Sequence, residues 1–357
     1  MRRTHIKPEN QTVALEGIQL LRFFAAFIVM MTHATFYVGT RIDSSFPLWN
    51  DGAQGVPIFF VISGLVMSLS ARKLVADKNG YWVFLQHRLI RIVPLYWAVN
   101  LLKIIGLLVM PAAIVAAPDV WNVISSFLFI FSRNAGGIVE TFYGVGWTLN
   151  FEMFFYLVFA IAMVVRVKPL YFASAVLAGC IALSYFREDN WPAITFLFNT
   201  IVINFIWGLV IAELRHRGLM LGFIPAIALG ILGLTLVFFP PPVYLFGVQY
   251  LALVAGVVFL EPVIRGRVPR LLIFGGDSSY SLYLIHPTVG VVVAIALGKI
   301  GVHSAPFAIG VICVVCFLVA SFTYISFEKP VTLYLKRKFA PSKPLIAQVQ
   351  PVKVGIV

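Results

Sequence analysis

The chain has little charge and very little acid. Of its 357 residues 11% are charged, and only 14 are Asp or Glu, against roughly a quarter charged in an ordinary soluble domain. A water-soluble fold of this length could not cover its surface with so few charges, which excludes that class. Cysteine is equally scarce: Cys180, Cys313 and Cys316 all lie inside apolar runs, which excludes a disulfide framework. Cys313 and Cys316 have the nominal spacing of a redox or zinc pair, but within an apolar helix they read as small buried side chains, and no metal is expected. The alternating short strands of a transmembrane barrel are lacking, as is the internal repeat that marks many transporters. No small-residue cleavage pattern follows the first apolar run, so it reads as an uncleaved span.

What is present is apolar: 61% of residues are hydrophobic and mean hydropathy is +0.95. Long runs recur at 18–39, 54–71, 88–110, 145–165, 170–186, 194–212, 221–239, 243–260, 274–298 and 306–327, several of them matching the ~20 residues needed to cross ~30 Å of hydrocarbon. Without water to satisfy backbone amides, helices are the expected spanning element. The expected fold class is therefore all-α, a polytopic transmembrane helical bundle of about ten spans. A further stretch, 121–131, is too short to cross and reads as re-entrant or interfacial. The chain divides into a cytoplasmic N-terminal segment 1–17, a transmembrane domain 18–330 and a basic cytoplasmic tail 331–357, expected to be disordered from Ala340 onward.

The net charge of +13 raises the question of nucleic acid, and the placement of the charges answers it. They sit in short blocks between apolar runs, not along one groove. Alternate flanks hold 21 and 4 Lys or Arg, the smaller set being Arg41, Arg133, Arg187 and Lys299. By the positive-inside rule both termini are expected in the cytoplasm, and making 121–131 a full span would invert every later loop and spoil the asymmetry.

Polar side chains inside the spans then require explanation, because a charge at the bilayer centre costs at least ~2.5–3.5 kcal/mol on insertion scales. Arg22 and His33 are eleven residues apart, which puts them on one helix face about 16 Å apart. They either line a polar path, or serve as a snorkelling arginine and a satisfied core histidine. Glu152 is the only carboxylate well inside a span, and counting from span ends places it at a depth similar to that of His33. An imidazole oriented by a carboxylate is an arrangement for general-base catalysis; a structural interhelical hydrogen bond is the other reading. Arg88 and Arg91, spaced i, i+3, suit a phosphate ligand or simply set topology. Ser63, Asn150 and the stripe of Ser279, Tyr283 and His286 are further intramembrane polar groups, each equally able to form interhelical bonds.

Read together, these strings resemble the membrane-bound acyltransferase-3 family, closest to members that acetylate secreted exopolysaccharide. The resemblance covers roughly residues 14 to 330. It runs through LEGIQLLRFFAAFIVMMTHA with Arg22 and His33, GVPIFFVISGLVM, RLIRIVPLYW with Arg88 and Arg91, GVGWTLNFEMFFY with Glu152, SYSLYLIHP with Tyr280 and His286, and the closing FEKP. The resemblance implies an integral membrane O-acyltransferase of the bacterial inner membrane. It implies an acetyl or other short acyl group taken from acyl-coenzyme A, with acetyl-coenzyme A as donor, and passed to a hydroxyl of an exopolysaccharide or its lipid-linked precursor. It makes His33 the catalytic base or transient acyl carrier and Glu152 its orienting partner. Arg22, Arg88 and Arg91 would hold the coenzyme's phosphates. Ser63, Asn150, Tyr280, Tyr283 and His286 are the candidate substrate-binding groups. Membrane lipid, the polysaccharide acceptor and polysaccharide-synthesis machinery are the expected partners, and nucleic acid is not. A transporter or flippase, and a non-enzymatic partner of the export machinery, are the alternatives. Direct transfer is slightly favoured over an acyl-histidine intermediate.

Overall fold

The computed structural model describes residues 15–109, 119–243 and 245–339. The expectations for residues 1–14 and for the tail from Ala340 lie outside the described residues. Within them the chain is helical: α1 (Glu16–Arg41), α2 (Gly55–Ala71), α3 (Gly80–Val109), α4 (Val120–Phe127), α5 (Trp147–Val164), α6 (Pro169–Ser184), α7 (Ile203–His216), α8 (Phe223–Phe238), α9 (Val248–Phe259), α10 (Glu261–Ile264), α11 (Arg270–Asp277), α12 (Ser279–Lys299), α13 (Ala305–Thr323) and α14 (Lys329–Lys338). Among the described residues there is no strand, only an isolated bridge between Arg133 and Val139.

Among the described residues six helical stretches are long and apolar enough to cross a membrane: Glu16–Arg41, Asp51–Ala71, Gly80–Leu108, Gly144–Val164, Ser279–Lys299 and Ala305–Lys338. They coincide with six of the ten expected spans. The other four expected spans correspond to α6, α7, α8 and α9, which hold 16, 14, 16 and 12 residues and so rise only ~18–24 Å each. The run 194–212 is shortened for a local reason. Pro192 precedes a 3₁₀ turn at Ala193–Leu197, and the Asn199 side chain accepts from Ile201 N–H to start another at Thr200–Val202, so the α-helix begins only at Ile203. The stretch expected to be re-entrant contains α4, eight residues opened by the Asp119 side chain accepting from Trp121 N–H, too short to cross.

Helix α1 is the hub, packing against α2, α9, α11, α12 and α13. Its first turn is held by a buried acid on α10: Glu261, 4% exposed, accepts from Glu16 N–H at 2.8 Å and Gly17 N–H at 3.0 Å. These are two of the four amide donors that a helix N-terminus leaves without an intrahelical acceptor. Helix α2 lies between α1 and α7 and touches both backbones. A Cβ at Gly64 would sit 2.3 Å from the Phe205 carbonyl oxygen, and one at Gly208 would sit 2.1 Å from the Val61 carbonyl oxygen. Small residues give helices in lipid the close approach that hydrophobic burial cannot drive there. Pro94 lies inside α3, and a π-helical turn at Tyr324–Glu328 joins α13 to α14. Such turns concentrate at functional sites.

Candidate active site

The polar face of α1 opens onto two chambers. The first, about 110 Å³, is lined by Arg22, Ser63, Arg88, Arg91, Glu152, Tyr280 and Tyr283 among others. The second, about 1000 Å³, is lined by His33, Tyr37, Lys103, Glu140, Tyr143, Trp147, Asn199 and Tyr283 among others. Val56 and Tyr283 stand on the walls of both. The Tyr283 hydroxyl is fixed by Thr148 Oγ1 at 3.0 Å and the Val145 carbonyl at 3.1 Å, which sets the ring at the boundary.

In the first chamber three guanidiniums converge from α1 and α3. Arg22 donates to Gln19 Oε1 at 3.1 Å, and Gln19 in turn donates to Asp277 Oδ1 at 2.7 Å. Arg88 donates to Ser70 Oγ and lies 5.5 Å from the Phe84 ring centre, while its Nε is buried without a partner among the described residues. None of the three forms an ion pair with a carboxylate among the described residues, so their N–H groups are available to an anion. Glu152 faces them from α5, its Oε1 accepting from Ser63 at 2.9 Å and Tyr156 at 2.6 Å. Tyr280 lines the same chamber and donates to the Ile92 carbonyl at 2.7 Å. Behind the chamber, Glu328 in the π turn accepts from Ser281 at 2.6 Å, within electrostatic reach of Arg91 and Arg22. Glu328 and Tyr156 were not singled out by sequence reasoning. The signal for Glu328 was an acid at the very end of the last apolar run, within FEKP.

The expected pairing of His33 with Glu152 is not what the structure places together. No hydrogen bond joins them among the described residues, and they line different chambers. Counting from span ends does not fix the partner: Glu152 turns toward Ser63 of α2 and its own i+4 residue, Tyr156, among the arginines, whereas the His33 face of α1 packs on α12. There its ring meets His286, with His286 Nε2 3.2 Å from His33 Nδ1 and ring centres 4.8 Å apart. His33 Nδ1 is also 3.0 Å from the Val29 carbonyl. A carbonyl only accepts, so Nδ1 carries the proton and Nε2 keeps its lone pair. Two of the five expected substrate-binding groups stay off the chamber walls. His286 is 1% exposed behind His33, and Asn150 is 2% exposed with both amide atoms unpartnered among the described residues. Ser63, Tyr280 and Tyr283 do line the first chamber. Among the described residues no group of three or more His, Cys, Asp or Glu side chains is placed to hold a metal ion.

Residues 15–326 match the family model described as an acyltransferase domain. The chain belongs to the acyltransferase-3 family. Among curated relatives, it is 31% identical over 302 residues to the exopolysaccharide production protein ExoZ of Rhizobium meliloti (strain 1021), covering 78% of this chain and 89% of that protein. It is 25% identical over 232 residues to the acyltransferase MdmB of Streptomyces mycarofaciens, covering 61% of this chain and 58% of that protein. No solved structure matches. The protein is thus an acyltransferase, and its apolar helices make it a membrane one.

Proposed function

We propose that this acyltransferase moves an acetyl or other short acyl group from acyl-coenzyme A to a hydroxyl of a bacterial exopolysaccharide or its lipid-linked precursor. The observation that carries the reading is the pair of abutting chambers, one lined by Arg22, Arg88 and Arg91 and the other by His33. The first suits the diphosphate of the coenzyme, because unpaired guanidiniums bind phosphate oxygens through several N–H groups at once. The second is of the size that ligand pockets reach and carries aromatic and polar walls that suit a saccharide. The relative named as an exopolysaccharide production protein favours the same acceptor class. The 21-to-4 distribution of Lys and Arg between alternate flanks favours an inner-membrane orientation with both termini in the cytoplasm, donor entering from that side.

In the transfer step His33 Nε2 takes the proton of the acceptor hydroxyl as its oxygen attacks the thioester carbonyl. The C–S bond then breaks, and the leaving thiolate takes the proton from the imidazolium. The new C–O bond replaces the C–S bond, and the base is restored. Glu152, held by Ser63 and Tyr156, lies among the arginines and balances part of their charge when no donor is bound. The test is transfer of labelled acetyl from acetyl-coenzyme A to acceptor glycan by the purified protein in nanodiscs. His33→Ala is expected to lower the rate by about 10²-fold or more in protein that still folds, checked by a cooperative thermal transition. Full transfer by that variant would remove His33 from the reaction.

A further inference from the structure

His286 has no access to substrate. It is buried where α12 meets α1 and α13, lines neither chamber, and makes its one side-chain hydrogen bond to the site with His33. Its Nδ1 is 3.0 Å from the Leu282 carbonyl, which can only accept, so Nδ1 carries the proton and Nε2 presents a lone pair. That lone pair points at the proton on His33 Nδ1, 3.2 Å away. The two rings therefore form a directed chain: Leu282 carbonyl, His286, His33, chamber.

We propose that His286 is a positioning residue for the base, accepting the His33 Nδ1 proton so that the ring is locked with Nε2 basic and facing the chamber. The proposal rests on His33 being the base of the transfer. When Nε2 takes the hydroxyl proton, His33 becomes an imidazolium whose Nδ1–H bond to His286 is charge-assisted and strengthens. The carboxylate of a Ser-His-Asp triad performs this task in water-accessible folds. Here a neutral imidazole performs it without placing an uncompensated anion deep in an apolar bundle. The Val29 carbonyl, 3.0 Å away, shares the same N–H and holds the same tautomer. Tyr37 and Tyr283 flank the pair, with ring centres 6.3 Å from His33 and 6.0 Å from His286. Among the described residues no carboxylate bonds to either imidazole.

Glutamine and asparagine separate this role from simple packing. A glutamine amide oxygen reaches the position of the imidazole Nε2 and can accept from His33. An asparagine amide reaches only the Nδ1 position, where it can still donate to Leu282. With acetyl-coenzyme A and glycan acceptor, His286→Gln is expected to stay within about tenfold of the wild-type kcat. His286→Asn is expected to fall about 10- to 100-fold below His286→Gln, the value of one charge-assisted hydrogen bond, with donor KM unchanged in both. Equal activity of the two variants, or a change confined to KM, would overturn the proposal. If His33→Ala were itself fully active, the reading of the base would fail first. If His33→Ala were inactive and His286→Asn fully active, this inference alone would fail.

Discussion

A single methyl group at Gly208 offers a sharp test of how closely the fold and the site are coupled. In the wild type a Cβ there would meet the Val61 carbonyl oxygen at 2.1 Å, Leu65 N at 2.6 Å and Gly64 Cα at 2.8 Å. All three are backbone atoms, so no side chain can turn away. Real Cβ contacts essentially never fall under 3.0 Å, so α2 and α7 must separate by about 0.9 Å. Overpacking of this kind costs ~1–3 kcal/mol, occasionally more, and the rigid neighbours place Gly208→Ala at the upper end. The displacement is carried by α2, which also supplies Val56 at the chamber boundary and Ser63 to Glu152. A misplacement of ~1 Å far from the chemistry can cost ~10²-fold in rate, so acyl transfer should fall at least tenfold along with stability. Thermal unfolding in detergent and initial rates in nanodiscs measure the two effects. Gly179→Ala is the control, since a Cβ there meets nothing within 4 Å and the residue lines neither chamber, so the rate should hold and the melting temperature should not fall. A Gly208→Ala protein as stable and as active as the wild type would refute the packing argument.

Arg88→Gln and Arg91→Gln should each raise the KM for acyl-coenzyme A by roughly 10-fold or more while changing kcat less; initial rates at varied donor concentration decide this, and an unchanged KM would separate the first chamber from donor binding. Ser63→Ala and Tyr156→Phe each remove one hydrogen bond from the same Glu152 oxygen. Each should slow transfer about tenfold, and the double variant should fall short of the product because the two act through one atom. Glu261→Ala strips the first turn of α1 of both buried acceptors and should cost ~1–3 kcal/mol, read as a lower melting temperature, with Glu261→Gln intermediate. A melting temperature unchanged in Glu261→Ala would mean that other groups satisfy those amides.

How much of this was legible in the sequence depends on which coordinate is asked for. Apolar runs located the six long helices to within a few residues at most ends, because length and hydropathy are properties of the segment itself. Two ends are exceptions: α3 begins at Gly80, eight residues before the run expected at 88, because Tyr81 to His87 extend it outside the apolar stretch, and the last stretch continues past 327 through α14 to Lys338. The run 194–212 shows the opposite failure, since hydropathy does not register the Pro192 and Asn199 that break it into 3₁₀ turns.

The partners of the site residues were not legible in the same way. Counting from helix ends put His33 and Glu152 at one level, yet Glu152 lines the chamber of Arg22, Arg88 and Arg91 while His33 lines the other. The period of an α-helix fixes which residues share a face but not which partner that face meets; that is decided by packing among all the helices. The small residues Gly64 and Gly208 draw α2 and α7 together, and α12 lies along α1. Glu152 therefore finds Ser63 and Tyr156, and His33 finds His286. The arginines were the easier case because all three needed only to reach one common volume, a weaker demand than a hydrogen bond at 3 Å. A long-range property such as convergence of charge survives errors of placement, whereas the identity of a hydrogen-bond partner does not. Chemistry that depends on a directed pair, as the His33–His286 chain does, therefore has to be read from the folded arrangement.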